Sequence, residues 1–178
     1  MTALLCASAC GDLGPPNELR YGDVVGRVLR AQKGSGRVVL MGSQPVPAGF
    51  EDDGSFRIRS IPNGEHELLV VANSGEALRV PVTVRGAEVT DLSDLDPLPA
   101  AFIRIYVTSQ STPGECWMNV HRTDLTDIRA PAGSYDFVAG PLGAGCYDAS
   151  MQTSTQAVWD GPGICLAAGE VRSFSVAW

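Results

Sequence analysis

The side chains able to do chemistry in this chain are few and far apart. His66 and His121 are its only histidines. A hydrolytic metal centre needs imidazole and carboxylate ligands at close helical or loop spacing, as in His-Glu-x-x-His, and neither histidine sits in such a pattern. A thiolate nucleophile needs an adjacent base, and nothing local pairs Cys116, Cys146 or Cys165 with a histidine. No Gly-x-Ser-x-Gly elbow and no phosphate-binding loop occurs. Glu51-Asp52-Asp53-Gly54 gathers the carboxylates that calcium favours, but it is shorter than an EF-hand loop and turn chemistry accounts for it. Asp91, Asp94 and Asp96 form a second acidic stretch, expected to be a solvated face. The expectation is a chain with no catalytic residues, no metal and no cofactor.

The N-terminus carries a different kind of chemistry. Met1 to Cys10 reads MTALLCASAC, a short apolar run ending in small residues before a cysteine. It is too short to span a bilayer, which takes about 20 apolar residues. It resembles the end of a bacterial lipoprotein signal peptide, with Ala7-Ser8-Ala9-Cys10 as the lipobox. The resemblance implies lipidation of Cys10, a membrane partner through that lipid, and a cell-envelope location, with Gly11 favouring the outer membrane. Residues 11–22 are rich in Gly, Pro, Asn and charge, without periodicity, and are expected to be a tether.

The elements behind these residues are expected to be strands. Twenty Gly and 12 Pro in 178 residues, with many Val and Thr, favour short strands joined by turns. A net charge of −7 argues against nucleic acid as a partner, because phosphate backbones reward Lys and Arg. From Asp23 the pattern is β: Val24 to Leu29, then Arg37 to Met41, then a loop in which Pro45 and Pro47 exclude a central strand. Phe56, Ile58 and Ile61 alternate with a slip before Ile61. His66, Leu68 and Val70 share a face, which makes His66 a packed histidine. Further strands are expected over Leu78 to Val84 and up to Leu95.

Val24-Val25-Gly26-Arg27-Val28, Asp53-Gly54-Ser55-Phe56 and Ile61-Pro62-Asn63-Gly64 together resemble the carboxypeptidase regulatory-like domains of the transthyretin-like group. The resemblance covers about Asp23 to Leu98 and implies a Greek-key sandwich without fixing a function. The second half repeats the first. Gly54-Ser55-Phe56-Arg57-Ile58 corresponds to Gly133-Ser134-Tyr135-Asp136-Phe137, and Val82 to Val89 corresponds to Cys165 to Val171. Phe102 to Val107 stands for the first strand and Trp117 to His121 for the second, which leaves His121 exposed at a strand end. The expected fold is all-β, two Greek-key β-sandwich modules over 23–98 and 99–178, separated at Asp96-Pro97-Leu98-Pro99, where two prolines stop strand pairing.

In an exported chain two of Cys116, Cys146 and Cys165 should be oxidised. Cys146 and Cys165 fall at one end of the second module and Cys116 at the other, so the expected disulfide is Cys146–Cys165. It closes a loop of about 20 residues and stabilises by roughly 3 kcal/mol. Strand parity turns Cys146 outward and Cys165 inward, so the pairing calls for a twist or bulge. The third thiol is expected to pack as a small hydrophobe. Lys33, in a polar loop, is expected to face solvent, which argues against an isopeptide bond. The expected function is that of a non-enzymatic exported lipoprotein, a structural or adhesion-type module with an unknown protein or glycan partner. The alternative is a carbohydrate-binding accessory protein that uses Trp117, Tyr147 and Trp159, of which Trp159 beside Asp160-Gly161-Pro162-Gly163 is expected to be the most exposed.

Overall fold

The computed structural model describes residues 20–108, 116–130, 134–153 and 157–177. The lipobox with Cys10, and tether residues 11–19, lie outside the described residues. Within them the chain is all-β, with fourteen strands and no helix.

The first half runs β1 (Tyr21–Val28), β2 (Arg37–Leu40), β3 (Val46–Ala48), β4 (Ser55–Pro62), β5 (Gly64–Asn73), β6 (Glu76–Val84), β7 (Val89–Leu95) and β8 (Leu98–Pro99). They form two sheets, β4-β1-β7 and β3-β2-β5-β6-β8, with β7 parallel to β1 and the other pairs antiparallel. The loop carrying Pro45 and Pro47 contains a short strand, β3, at a sheet edge, where a proline costs least. The slip before Ile61 is a bulge. Ile58 pairs with Val24 but Ile61 pairs with Gly22, and Ser60 takes a positive φ of 57° between them.

The second half runs β9 (Ala101–Thr108), β10 (Cys116–Val120), β11 (Asp136–Leu142), β12 (Gly145–Thr153), β13 (Ala157–Leu166) and β14 (Val171–Ala177). Its sheets are β11-β9-β14 and β10-β12-β13. β9, β11 and β14 stand in the places of β1, β4 and β7, and β10, β12 and β13 in those of β2, β5 and β6; β14 runs parallel to β9 as β7 does to β1.

The boundary differs from the expectation. Leu98 and Pro99 do not stop strand pairing, because β8 pairs with Glu76 and Ala77 of β6. The Ala100 N–H donates to the Gly75 carbonyl at 2.8 Å and the Gly169 N–H donates to the Pro99 carbonyl at 2.8 Å. The segment between the halves is therefore pinned to both.

Burial explains why. Val24, Val38, Phe56, Ile58, Leu68 and Val70 close the core between the first two sheets. Val39, Met41, Leu69, Val71 and Ala77 point from the other face of the five-stranded sheet into the core of the second half, beside Ile103, Met118, Leu142, Tyr147 and Met151. β5 is consequently buried on both faces from Leu68 to Ala72. A strand so placed reads as a continuous apolar run and not as alternation.

Candidate functional site

The junction between the halves holds the most organised polar chemistry of the described residues. Arg79 of β6 and Glu67 of β5 emerge beside the shared core, at the end where β11 turns into β12. The Arg79 Nε and Nη2 donate to the two Glu67 carboxylate oxygens at 2.9 and 2.6 Å. Its Nη1 donates to the Cys146 carbonyl at 2.6 Å, and the guanidinium lies over the Tyr147 ring, 5.1 Å from the centroid. Gly143 makes this approach possible, since a Cβ there would stand 2.5 Å from the Arg79 nitrogen and the Leu78 carbonyl carbon.

Electrostatics follow from that packing. The Arg79 guanidinium, with Arg122 assisting, holds the Glu67 carboxyl below its ordinary range. Burial opposes the charge on Arg79, but the Glu67 carboxylate outweighs it and the guanidinium is raised. Tyr147 donates its hydroxyl to the Gly143 carbonyl at 2.8 Å, and burial pushes its phenol up to about 12. A second pair, Arg37 of β2 with Asp124, also bridges the halves.

Further along the seam, towards the other end of β12 and linked to this network through Arg122, opens a cleft of about 360 Å³. One wall is the Gly42-Ser43 turn with Pro45, from the loop after β2; the other is the end of β10 with the outer face of β12. The Gly42 N–H donates to the Arg122 carbonyl at 3.0 Å and fixes one wall against the other. Asn119, Ser150 and Gln152 face the cleft, because their neighbours Met118, Val120, Ala149 and Met151 point into the core. In the β10–β12 register Asn119 lies opposite Ser150 and Trp117 opposite Gln152, so an indole stands at the end of this polar row. The Asn119 Oδ1 accepts the Asp127 N–H at 2.9 Å.

The residues singled out from the sequence are dispersed. Trp117 is on the outer face of β10, half-buried, with the Arg129 guanidinium 5.3 Å from its ring centroid. Tyr147 is only 3% exposed and belongs to the core. Trp159 is not beside a turn, because β13 continues through Asp160-Gly161-Pro162-Gly163 with a bulge at Pro162-Gly163 in place of a chain reversal. It turns inward opposite Met151, lies on Gly161, where a Cβ would be 2.3 Å from the indole, and packs on Phe174 at 5.2 Å. Trp117, Tyr147 and Trp159 therefore share no surface, and Trp117 alone of the three keeps an outward place.

Cys146 and Cys165 form a disulfide between directly opposed residues of β12 and β13. Cys165 points outward, not inward: a register shift between Tyr147 and Ala149 resets the parity, and both cysteines are on the solvent face. Such a bond belongs to an oxidising, extracytoplasmic compartment. Cys116 is a free, buried thiol that burial pushes up. His66 is half-buried, with its Nε2 2.7 Å from the Pro62 carbonyl oxygen, and His121 is exposed. Lys33 pairs with Asp52 at 2.7 Å in solvent. Glu51 to Gly54 closes as a turn, with the Asp53 carboxylate accepting the Ser55 N–H. Asp94 and Asp96 pair with Arg27 and Arg30. Among the described residues no three His, Cys, Asp or Glu side chains gather as a metal site.

Sequence reasoning missed Arg79, Glu67, Asn119, Ser150 and Gln152. The one signal for them was the unbroken run Leu68-Leu69-Val70-Val71-Ala72, which announces a strand covered on two sides.

No family model matches this chain, and no curated protein matches it. Solved structures do. It is similar to a DUF3823 family protein from Bacteroides ovatus at 14% identity and TM-score 0.36, over 83% of this chain and 98% of that one. It is similar to GBS52, the minor pilin of Streptococcus agalactiae, at 9% identity and TM-score 0.36, over 88% and 94% of the two chains. A DUF3823 family protein from Parabacteroides merdae aligns at 13% identity and TM-score 0.35, over 84% and 78%. Scores this low leave the fold resting on the chain's own strand pairing and function on its own side chains.

Proposed function

We propose that this chain is a non-enzymatic exported lipoprotein, anchored by lipid on Cys10, that presents two coupled sandwich modules, 23–98 and 99–178, as a rigid binding element at the cell envelope. The first module is of the carboxypeptidase regulatory-like kind. The observation that carries the reading is the junction. One core takes side chains from both halves, and Arg79 ties β5, β6 and β12 together. Such a body holds any surface feature at a fixed orientation, which is what a tethered binding module requires. The outward disulfide supports export.

The test is mass spectrometry of the mature chain isolated from the cell envelope. The expected result is a chain beginning at a diacylglyceryl-modified Cys10 with Cys146 joined to Cys165. An unmodified Cys10 in the membrane fraction, or reduced Cys146 and Cys165, would overturn the reading.

A further inference from the structure

We propose that the cleft between the Gly42-Ser43 turn and the outer face of β10 and β12 binds an uncharged, hydroxyl-rich carbohydrate chain. The proposal rests on the binding-module reading and supplies its ligand class.

The volume is the first argument. About 360 Å³ lies within the roughly 300–1,000 Å³ of small-ligand sites. The lining is the second. Asn119, Ser150, Gln152 and Thr126 all offer hydrogen bonds without net charge. Amides and hydroxyls both donate and accept, and a sugar hydroxyl, one donor with two lone pairs, needs partners of both kinds. No carboxylate lines the cleft to attract a cation. Its one guanidinium, Arg122, is 57% exposed at the rim beside His121, and its nearest carboxylate, Glu67 at 4.0 Å, is already paired with Arg79, so the hexagalacturonate arm below tests whether that charge or the neutral row selects the ligand.

Position is the third argument. Trp117 is the cross-strand partner of Gln152 and stands on the same outer face. Opposed side chains on one face have Cβ atoms about 4.5–5.5 Å apart, so a ring stacked on the indole has the Gln152 amide within reach. Arg129 takes one face of the indole, and we assign sugar stacking to the other. An aromatic plane beside a row of neutral amides and hydroxyls suits a pyranose, whose flat C–H face and equatorial hydroxyls ask for both at once. The two walls come from different halves and are joined through Gly42 and Arg122, so the site is formed before the ligand arrives.

The experiment titrates the full chain calorimetrically with cellohexaose, xylohexaose, maltohexaose and mannohexaose, and with hexagalacturonate as an anionic counterpart. At least one neutral hexasaccharide should bind and alter the tryptophan fluorescence. Trp117→Ala and Gln152→Ala should each weaken that binding roughly tenfold, the size of one lost stacking or hydrogen-bond contact, and Gln152→Ala should do so at an unchanged melting temperature. Ser150→Ala, which removes only a surface hydroxyl, serves as a second variant should Trp117→Ala fold poorly. No binding of any neutral probe at millimolar concentration, preferential binding of hexagalacturonate, or binding indifferent to these substitutions overturns the assignment. Those failures would leave the lipid and export reading standing, because mass spectrometry at Cys10 tests that separately.

Discussion

Replacing Arg79 by Met keeps most of the side chain's apolar length and removes its charge and its donors. The loss can be worked from contacts. Two charged hydrogen bonds to Glu67 and one to the Cys146 carbonyl disappear, at about 1.5–3 kcal/mol for each bond to a charged group taken singly. The stack over Tyr147 adds about 0.5–2 kcal/mol. These terms are not additive, and Glu67 keeps Arg122 at 4.0 Å as a weaker partner. Arg79 is 17% and Glu67 30% exposed, so water recovers part of the carboxylate's solvation once the pair is broken. The net expectation is about 3 kcal/mol, at the low end for breaking a buried pair. For a chain of this size that is a fall in melting temperature of about 6–12 °C. Arg79→Lys should recover about half, since an ammonium keeps the charge but not the fork or the stack. Urea unfolding read by circular dichroism and by tryptophan fluorescence gives the check. All three tryptophans lie after residue 116, so fluorescence reports the second half while dichroism reports both. With one core shared across the boundary, the two signals should coincide and move together in the variant. A loss below about 0.5 kcal/mol, within ordinary surface-substitution scatter, or separate transitions in the unmutated protein would refute the coupling of the halves.

Three further outcomes are expected. Cys146→Ser with Cys165→Ser removes a closure of 19 residues and should cost about 3 kcal/mol in urea titrations, with strand pairing retained. The Tyr147 phenol, raised from 10.0 to about 12, favours the neutral form in the fold. Its contribution is present in full below pH 10, and about 2–3 kcal/mol is lost as pH rises from 10 towards 12. Urea midpoints across that window should fall, and Tyr147→Phe should flatten the fall. The Cys116 thiol, buried and raised, should resist iodoacetamide in the native protein and react at once in urea.

How much of this was legible in the sequence depends on where each residue sits relative to a strand. Alternation at Phe56, Ile58 and Ile61, and at His66, Leu68 and Val70, disclosed the core between the first two sheets, because each strand there shows one face to that core. The cysteine pair was legible because an antiparallel neighbour brings Cys146 to Cys165. Its parity was not, because Pro162 and Gly163 of β13 bulge opposite Asp148 and reset the count; the mark was a glycine at φ 64°, but Gly161-Pro162-Gly163 reads as a turn. Trp159 misled for a similar reason. Asp160-Gly161-Pro162-Gly163 has turn composition, yet Gly161 serves to let the indole lie flat on the strand, which makes the glycine a packing device.

The junction was the hardest part to read, and the cause is physical. Glu67 and Arg79 look like ordinary polar positions on two adjacent strands, as do Asn119, Ser150 and Gln152 half a chain away. Nothing local sets them apart from solvated side chains, because what gives them neighbours is the docking of one half on the other. That docking is written in the apolar residues between them. Leu69, Val71 and Ala77 are superfluous to a lone sandwich, whose inner face is already supplied by Leu68, Val70 and Val82. An isolated first half would leave that second apolar face in water, an exposure large enough to favour association. The same residues that oblige the halves to dock therefore create the cleft at their seam, and a ligand site there would weaken whenever the shared core is loosened. Arg79→Met releases Glu67, which stands 4.0 Å from Arg122 of the cleft, and should lower hexasaccharide affinity as well as stability, whereas the disulfide variants, whose side chains touch neither Glu67 nor Arg122, should lower stability alone.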